Sequence, residues 1–432
     1  MISPRDVSHD LPKRAGLDRL PQMTMRSSSA RMTHQFSGKR LERSAVALLL
    51  GVLSATADAQ STVRTVKHSA AAIEALPVRR VLSQVLGAVS GARGALFEVD
   101  DVERAILLDS NRLVVLGWRP SRIVVIDYQA GRARALGRKG SGPGEFEQIA
   151  DIAVRKDTVF WTDWALMRAS SVAQNGHILW TRRLPSPVTT ASTRLAGVTS
   201  NGALVLSSVG VSGGEPDSTT RTAARVVLVT PTGDARTLQT IPDLYLAKVE
   251  TRFRGRRRME NRRLELGSSA SLTMLGNLIF ATSGDAYKVN AFGIDGALRL
   301  KIEMQRPRRE ITKMLKATAI DIAVEQRVRE HRGEPLLDPE ESERLIRAAR
   351  YADSLPAIHS LISTGEDLVW IVDGVHPADR GWSATAVRAN GELAARLESR
   401  FPGVPLAIAK DRVLMKELDA DGSAVLRIRS VR

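Results

Sequence analysis

Arg112–Leu116 (RLVVL), Thr158–Trp161 (TVFW), Ala203–Leu206 (ALVL), Asn277–Phe280 (NLIF), Asp367–Ile371 (DLVWI) and Arg412–Met415 (RVLM) recur along the chain at near-regular spacing. Each is followed, about 10 to 30 residues on, by a second apolar run and usually by an X-Gly turn. Short apolar runs bounded by turn residues read as strands buried on both faces. Repeats of roughly 40–50 residues built from such strands predict a β-propeller.

The repeats divide the chain into six units. They begin near Gly94, Ile149, Leu195, Ser268, Ile358 and Val404. Asn175-Gly176, Asp295-Gly296, Asn390-Gly391 and Asp421-Gly422 supply the positive φ angles of tight hairpins. Gly210–Thr220 lengthens one hairpin of the third unit with polar residues. The last unit ends at Arg432 and lacks an outer strand, which Val78–Leu86 is placed to supply. An internal match supports that closure. Val85-Leu-Gly87, Ser90-Gly91 and Gly94–Phe97 parallel Ala135-Leu-Gly137, Ser141-Gly142 and Gly144–Phe146.

Between the fourth and fifth units the period changes. Ile311, Met314, Leu315, Thr318, Ala319, Ile322 and Ala323 fall on one helical face. Gly333 and Pro335 end that helix, and Asp338-Pro339-Glu340-Glu341 opens a second with N-cap, Pro at N1 and a capping box. The expected fold is therefore all-β: a six-bladed β-propeller closed by an N-terminal strand, with a helical hairpin at about 308–353 before the fifth blade. Such a hairpin covers the channel, docks a partner, or only buries an apolar face.

The chain of 432 residues has no Cys and is 43% apolar and 4% aromatic. Few aromatics weaken a case for carbohydrate or single-stranded nucleic-acid stacking. Lys39, Arg40 and Arg43 precede the apolar stretch Ala45–Leu53, and Ala57-Asp58-Ala59 supplies small residues, so residues 39–59 read as a signal peptide cut after Ala59. The stretch is too short to span a bilayer; a short buried helix is the structural alternative. Residues 1–38 read as a disordered extension or an over-long reading frame, with Met23, Met25 and Met32 as alternative starts. Residues 60–77 read as a linker and 78–432 as the propeller. Export to the periplasm or medium is expected. Without Cys there is neither a lipid-anchoring thiol nor a disulfide, so the core alone must hold the fold.

The formal charge is +16, and residues 1–59 carry nine Lys or Arg against five Asp or Glu, which leaves about +12 after the cut. Half of that lies in Arg252–Arg263, with seven Arg and one Glu. Such a run reads as a solvated, mobile loop, or as a site for phosphate, sulfate, an acidic glycan or a membrane surface. Arg254, Arg256 and Arg257 are its candidate ligand contacts. Export argues against a nucleic-acid partner, and a monomer is expected.

Leu136–Phe146 (LGRKGSGPGEF) resembles the G-R-x-G-x-G-P-G-E-F linker of bacterial six-bladed propellers related to NHL repeats, which are usually exported. Trp370 and Pro356-Ala357-Ile358 resemble the same group, over about residues 78–432. The resemblance implies binding or scaffolding rather than a defined reaction. Physically, the glycines permit a tight crossing and Pro143 stiffens it. The loop lacks the Lys-Ser/Thr ending and following helix of a phosphate cradle.

Propeller hydrolases and lyases of the lactonase kind need oxygen ligands converging on the channel. The inner strands expected here offer only Asp151, His359 and a few hydroxyls, so no metal set and no cofactor is read. Asp151 and His359 facing the channel would make an acid/base pair; otherwise each is a core or rim residue. Trp164, near Trp161 and Asp163, packs between blades or stacks on a ligand at the rim. Asp373 and His376 have metal-compatible types, but two ligands do not make a site. There is no G-x-S-x-G, no H-E-x-x-H and no Cys nucleophile. The leading functional expectation is a binding or scaffold protein with an unknown ligand or protein partner at the channel mouth. The alternative is a metal-dependent hydrolase or lyase with its site in the channel.

Overall fold

The computed structural model describes residues 63–90, 102–117, 121–185, 193–210, 220–253, 256–330, 339–364, 367–376, 379–419 and 424–432. The signal peptide, Asp338 and Arg254 lie outside these residues. No helix among them is long and apolar enough to cross a membrane.

The described chain opens with β1 (Arg64–His68), α1 (Ala70–Glu74) and β2 (Val78–Ser90). Antiparallel meanders follow. The first is β3 (Val102–Leu107), β4 (Arg112–Gly117), β5 (Arg122–Asp127) and β6 (Arg132–Leu136). The second is β7 (Ile149–Arg155), β8 (Thr158–Asp163), β9 (Arg168–Ala173) and β10 (Ile178–Arg183). The third is β11 (Arg194–Val198), β12 (Leu204–Gly210), β13 (Thr220–Val229) and β14 (Ala235–Phe253), extended by β15 (Arg256–Arg263). The next is β16 (Ser271–Leu275), β17 (Leu278–Thr282), β18 (Lys288–Gly293) and β19 (Leu298–Met304), with β1 added in parallel beside β19. Helices α2 (Lys313–Glu330) and α3 (Pro339–Arg347) intervene. Then come β20 (Ile358–Ser363), β21 (Leu368–Asp373), β22 (Trp382–Arg388) and β23 (Leu393–Ser399), and finally β24 (Val404–Ile408), β25 (Arg412–Leu418) and β26 (Ala424–Val431).

Each apolar run that recurs in the sequence lies in the second strand of its meander. That strand is hydrogen-bonded along both edges and covered on both faces. Its side chains alternate between the two neighbouring sheets, as a period of two requires. Leu113 and Val115 pack on Leu414, whereas Val114 and Leu116 pack with Val159 and Trp161. Phe160 meets Leu204 and Leu206; Val205 meets Ile279; Phe280 meets Ile371; Trp370 meets Val413 and Met415. The cores return to their starting sheet. The first strands close the same cycle, with β3 touching β7, β7 touching β11, and so on through β16, β20 and β24 back to β3. This is a β-propeller arrangement.

The Gly-rich segment after β6 forms one of the crossings between sheets. Gly137 has φ +70°, and a Cβ there would stand 2.6 Å from the Gly144 carbonyl oxygen. The loop is held from inside: Gly142 N–H donates to Glu145 Oε2 at 2.7 Å, and Arg168 donates to the carbonyls of Ser141, Gly142 and Glu145. Phe146 is buried edge-on against Trp161, ring centroids 6.2 Å apart. With their polar groups committed to each other, these residues make a joint.

Three expectations change. Residues 60–77, read as a linker, carry β1 and α1 from residue 64 onward, and Ile73 is fully buried. Arg252–Arg263, read as a mobile loop, belongs to the β14–β15 hairpin: Leu246 pairs with Arg263 and each register step continues to Phe253 with Arg256. Val249 and Ala247 are buried along one face, which anchors the ribbon despite its charge. The expected apolar face of α2 is only partly used. Ala319 is buried, but Met314 is 75% exposed, because the helix rests on its neighbours along a narrow stripe.

The N-terminal segment straps the outer edges. β2 runs parallel to β23 through Val78–Arg80 and then antiparallel to β26 through Val81–Ser90, making one eight-stranded sheet of the last two meanders. Arg80 N–H donates to the Arg432 carbonyl at 2.7 Å, and Arg432 N–H donates back at 3.1 Å. Removing β2 would expose two strand edges at once. A chain lacking residues 60–87 is therefore expected to lose its cooperative thermal transition, and calorimetry showing an unchanged melting temperature would refute this.

Candidate functional site

The first strand of each meander is bonded to a neighbour on one side only, so its other edge faces inward. These edges surround a cavity of about 1240 Å³. Adjacent inner strands run parallel: Leu361 N–H donates to Ser271 Oγ at 2.9 Å and Ser363 N–H to Thr273 Oγ1 at 3.2 Å, a constant register between β16 and β20. Where the strands begin, the cavity wall carries Glu103, Arg104, Asp151, Arg194 and His359. Midway it is apolar, with Ile106, Ala196, Leu272, Met274 and Leu406.

Asp151 ties three inner strands together. Its carboxylate is 1% exposed. Oδ2 accepts from the Arg104 guanidinium on β3 at 3.1 Å and from Leu195 N–H on β11 at 2.7 Å; Oδ1 accepts from Ile152 N–H at 2.8 Å. Glu103 on β3 pairs with Arg194 on β11, reaching past β7. Enclosure by the walls works against the Arg194 charge, but the bond to Glu103 and the carboxylates of Asp151 and Asp243 outweigh it and raise its pKa.

His359 stands open to this cavity from β20. Enclosure by the surrounding protein, together with the nearby Arg263 guanidinium, lowers its pKa below the ordinary 6.5. Arg263 makes no ion pair or side-chain hydrogen bond among the described residues. Close by, Asp243 is 4% exposed. Burial raises its pKa, opposed by hydrogen bonds from the backbone N–H groups of Ala270 and Leu244 and by the charges of Arg263 and Arg221.

The expected acid/base pair does not form. β7 and β20 occupy opposite positions in the cycle of inner strands, so Asp151 and His359 face each other across the cavity, and Asp151 is held by its own three donors. Trp164 lies in the β8–β9 turn at the same end but outside the cavity lining. It is half-buried, with its indole N–H buried and without a partner among the described residues. Arg256 and Arg257 lie on β15; Arg257 is exposed and pairs with Glu250 at 3.2 Å. Asp373 and His376 take separate roles. Asp373 accepts from Arg306 at 2.7 and 2.8 Å, and His376 Nε2 lies 2.9 Å from the Leu315 carbonyl.

Sequence reading missed Arg104 and Arg194, and named Arg263 only as the end of the Arg252–Arg263 run. One signal was present: Arg104 and Arg194 sit at strand starts next to the apolar residues that mark inner strands. Arg263 was hidden in a run of identical charges. Among the described residues no three His, Asp or Glu side chains are grouped to hold a metal ion.

No family model matches the chain, and no curated protein matches it either. Solved structures similar to it include a protein described as exported from Bacteroides fragilis, with TM-score 0.42 and 13% identity over 86% of this chain and 99% of that one. Another is the calcium-binding protein regucalcin from Agrobacterium tumefaciens, with TM-score 0.36 and 11% identity over 82% and 96%. A third is virginiamycin B lyase from Staphylococcus aureus, with TM-score 0.35 and 9% identity over 81% and 97%.

Two measurements check this site. Asp151→Ala removes the acceptor of a buried N–H and of Arg104, and is expected to destabilise the fold by about 3 kcal/mol in urea unfolding; a change within 0.5 kcal/mol, about that of an ordinary surface substitution, would refute the tie. His359 is expected to titrate below 6.5 by NMR. The folded state then holds this proton less tightly than the unfolded chain. The stability contributed is present above about pH 6.5 and lost as pH falls through the lower folded value. Arg263→Gln should move the midpoint back up, and an unmoved midpoint would remove Arg263 as a cause.

Proposed function

We propose that the chain is an exported six-bladed β-propeller that binds a ligand in its central channel, related to the NHL-type propellers its 136–146 linker resembles. The closed cycle of inner strands supports the blade count, with β2 as the fourth strand of the last blade and the α2–α3 pair as an insertion before the fifth. The Ala45–Leu53 stretch and Ala57-Asp58-Ala59 support export.

One observation carries the binding reading: a cavity of about 1240 Å³ whose wall changes from charged at one mouth to apolar midway. Ligand sites are concave and mostly apolar, with a few fixed polar groups to orient the ligand. Here the buried carboxylates serve as structural acceptors, which leaves arginine N–H groups as the orienting set. Asp151 with three donors is poorly placed to move a proton, which favours binding over catalysis.

The expected outcome is a small molecule retained at about one per chain when the protein is purified from its native host, read by native mass spectrometry. Ala196→Trp, which fills the channel wall, should abolish that retention while the protein stays folded. Retention unchanged in that variant would refute the channel as the site. Stoichiometric, tightly held calcium or zinc on elemental analysis would instead favour a metal-dependent hydrolase or lyase.

A further inference from the structure

We propose that the channel selects an anionic amphipathic molecule, with a carboxylate head at the mouth beside Arg194, Arg263 and His359 and an apolar body lying along Ile106, Leu272, Met274 and Leu406. This rests on the channel being the ligand site and adds the chemical class of the ligand.

The mouth has more donors than it uses. Each guanidinium carries five N–H groups and no acceptor. Arg194 donates to Glu103, and Arg104 donates to Asp151. The Arg263 side chain, next to His359 but outside the cavity lining, makes no hydrogen bond or ion pair among the described residues. The acceptors in reach are largely spent. Asp151 holds Arg104, Leu195 N–H and Ile152 N–H, and Asp243 holds the N–H groups of Ala270 and Leu244. Glu103 gives Oε1 to Arg194, which leaves its buried Oε2 as the one carboxylate oxygen of this group without a partner among the described residues. A molecule entering at this end therefore meets unsatisfied donors and must itself bring acceptors. A carboxylate satisfies arginine N–H groups in pairs, with charge-assisted bonds about twice as strong as neutral ones.

The body of the ligand follows from the wall beyond. Ile106, Leu272, Met274 and Leu406 are only partly covered by protein and face the cavity. Gly197 on β11 lets the Met274 side chain pack closely against the backbone: a Cβ there would stand 2.9 Å from the Met274 sulfur. Apolar side chains facing water in a cavity favour displacement of that water by an apolar chain. A six-residue strand spans about 20 Å, long enough for head and body to occupy different zones.

The test uses dodecanoate and its uncharged counterpart dodecanol, titrated into the full protein by calorimetry. Dodecanoate is expected to bind at least about tenfold more tightly, the equivalent of one charge-assisted contact. Arg263→Gln should remove that difference and leave dodecanol binding unchanged. Arg263 is exposed and makes no side-chain bond among the described residues, so the variant is expected to melt like the parent. Ala196→Trp should abolish both. Equal binding of the two probes to the parent protein overturns the acid-headed class while leaving the channel as the site. Dodecanoate binding untouched by Ala196→Trp overturns both readings. Binding of neither probe overturns this inference alone, and the molecule retained from the native host then decides the channel.

Discussion

Every sheet in this fold depends on one strand supplied from the far end of the chain. A cycle of packed sheets has no free face, but the final meander arrives one strand short. β2 repairs this by pairing with β26 and, over its first residues, with β23. The repair is anchored from inside. Arg429, 7% exposed, donates to Glu417, 4% exposed, at 2.6 and 2.7 Å, and also to the Ser83 carbonyl at 3.1 Å where the β2–β26 register slips. Without disulfides, the coupling of the two chain ends through this strand and this ion pair gives the cycle its permanence. A buried pair of this kind is costly to break because either partner alone is an uncompensated charge.

The same logic recurs at the channel. Inner strands expose backbone N–H and C=O groups along one edge, and buried orphans are expensive. Ser271, Thr273 and Asp151 resolve this by accepting from the next inner strand. These three polar residues of the inner wall are thus consumed in holding the wall. At the mouth where the inner strands begin, the arginines keep donors to spare, because a guanidinium has more donors than any one carboxylate can use.

The two long excursions, the β14–β15 ribbon and the α2–α3 pair, both connect the outer strand of one sheet to the inner strand of the next. They meet: Glu265 N–H donates to the Arg350 carbonyl at 2.8 Å, and Ala352 N–H donates to the Glu265 carbonyl at 3.0 Å. Both therefore rise at the end where the inner strands begin, beside the charged mouth. Seven arginines in sequence suggested solvation, but alternate apolar residues on the partner strand, Ala247 and Val249, gave the ribbon a buried face that charge counting does not register.

Sequence by itself determined the repeat, the second strands and the closing strand. Those features are local or periodic: an apolar run covered on both faces leaves no room for polar residues, so RLVVL or DLVWI announces its place wherever it falls. Trp370 and Leu116 were legible for that reason. Tertiary structure alone decided the site. Asp151, Arg104, Leu195, Arg194 and Glu103 come from three strands far apart in sequence, and whether Asp151 is a base or a clamp depends on which N–H groups surround it. His359 and Asp151 looked like partners by type and stand on opposite walls by topology. Residue type sets what a group can do, while the neighbours that the closed cycle brings to it set what it does.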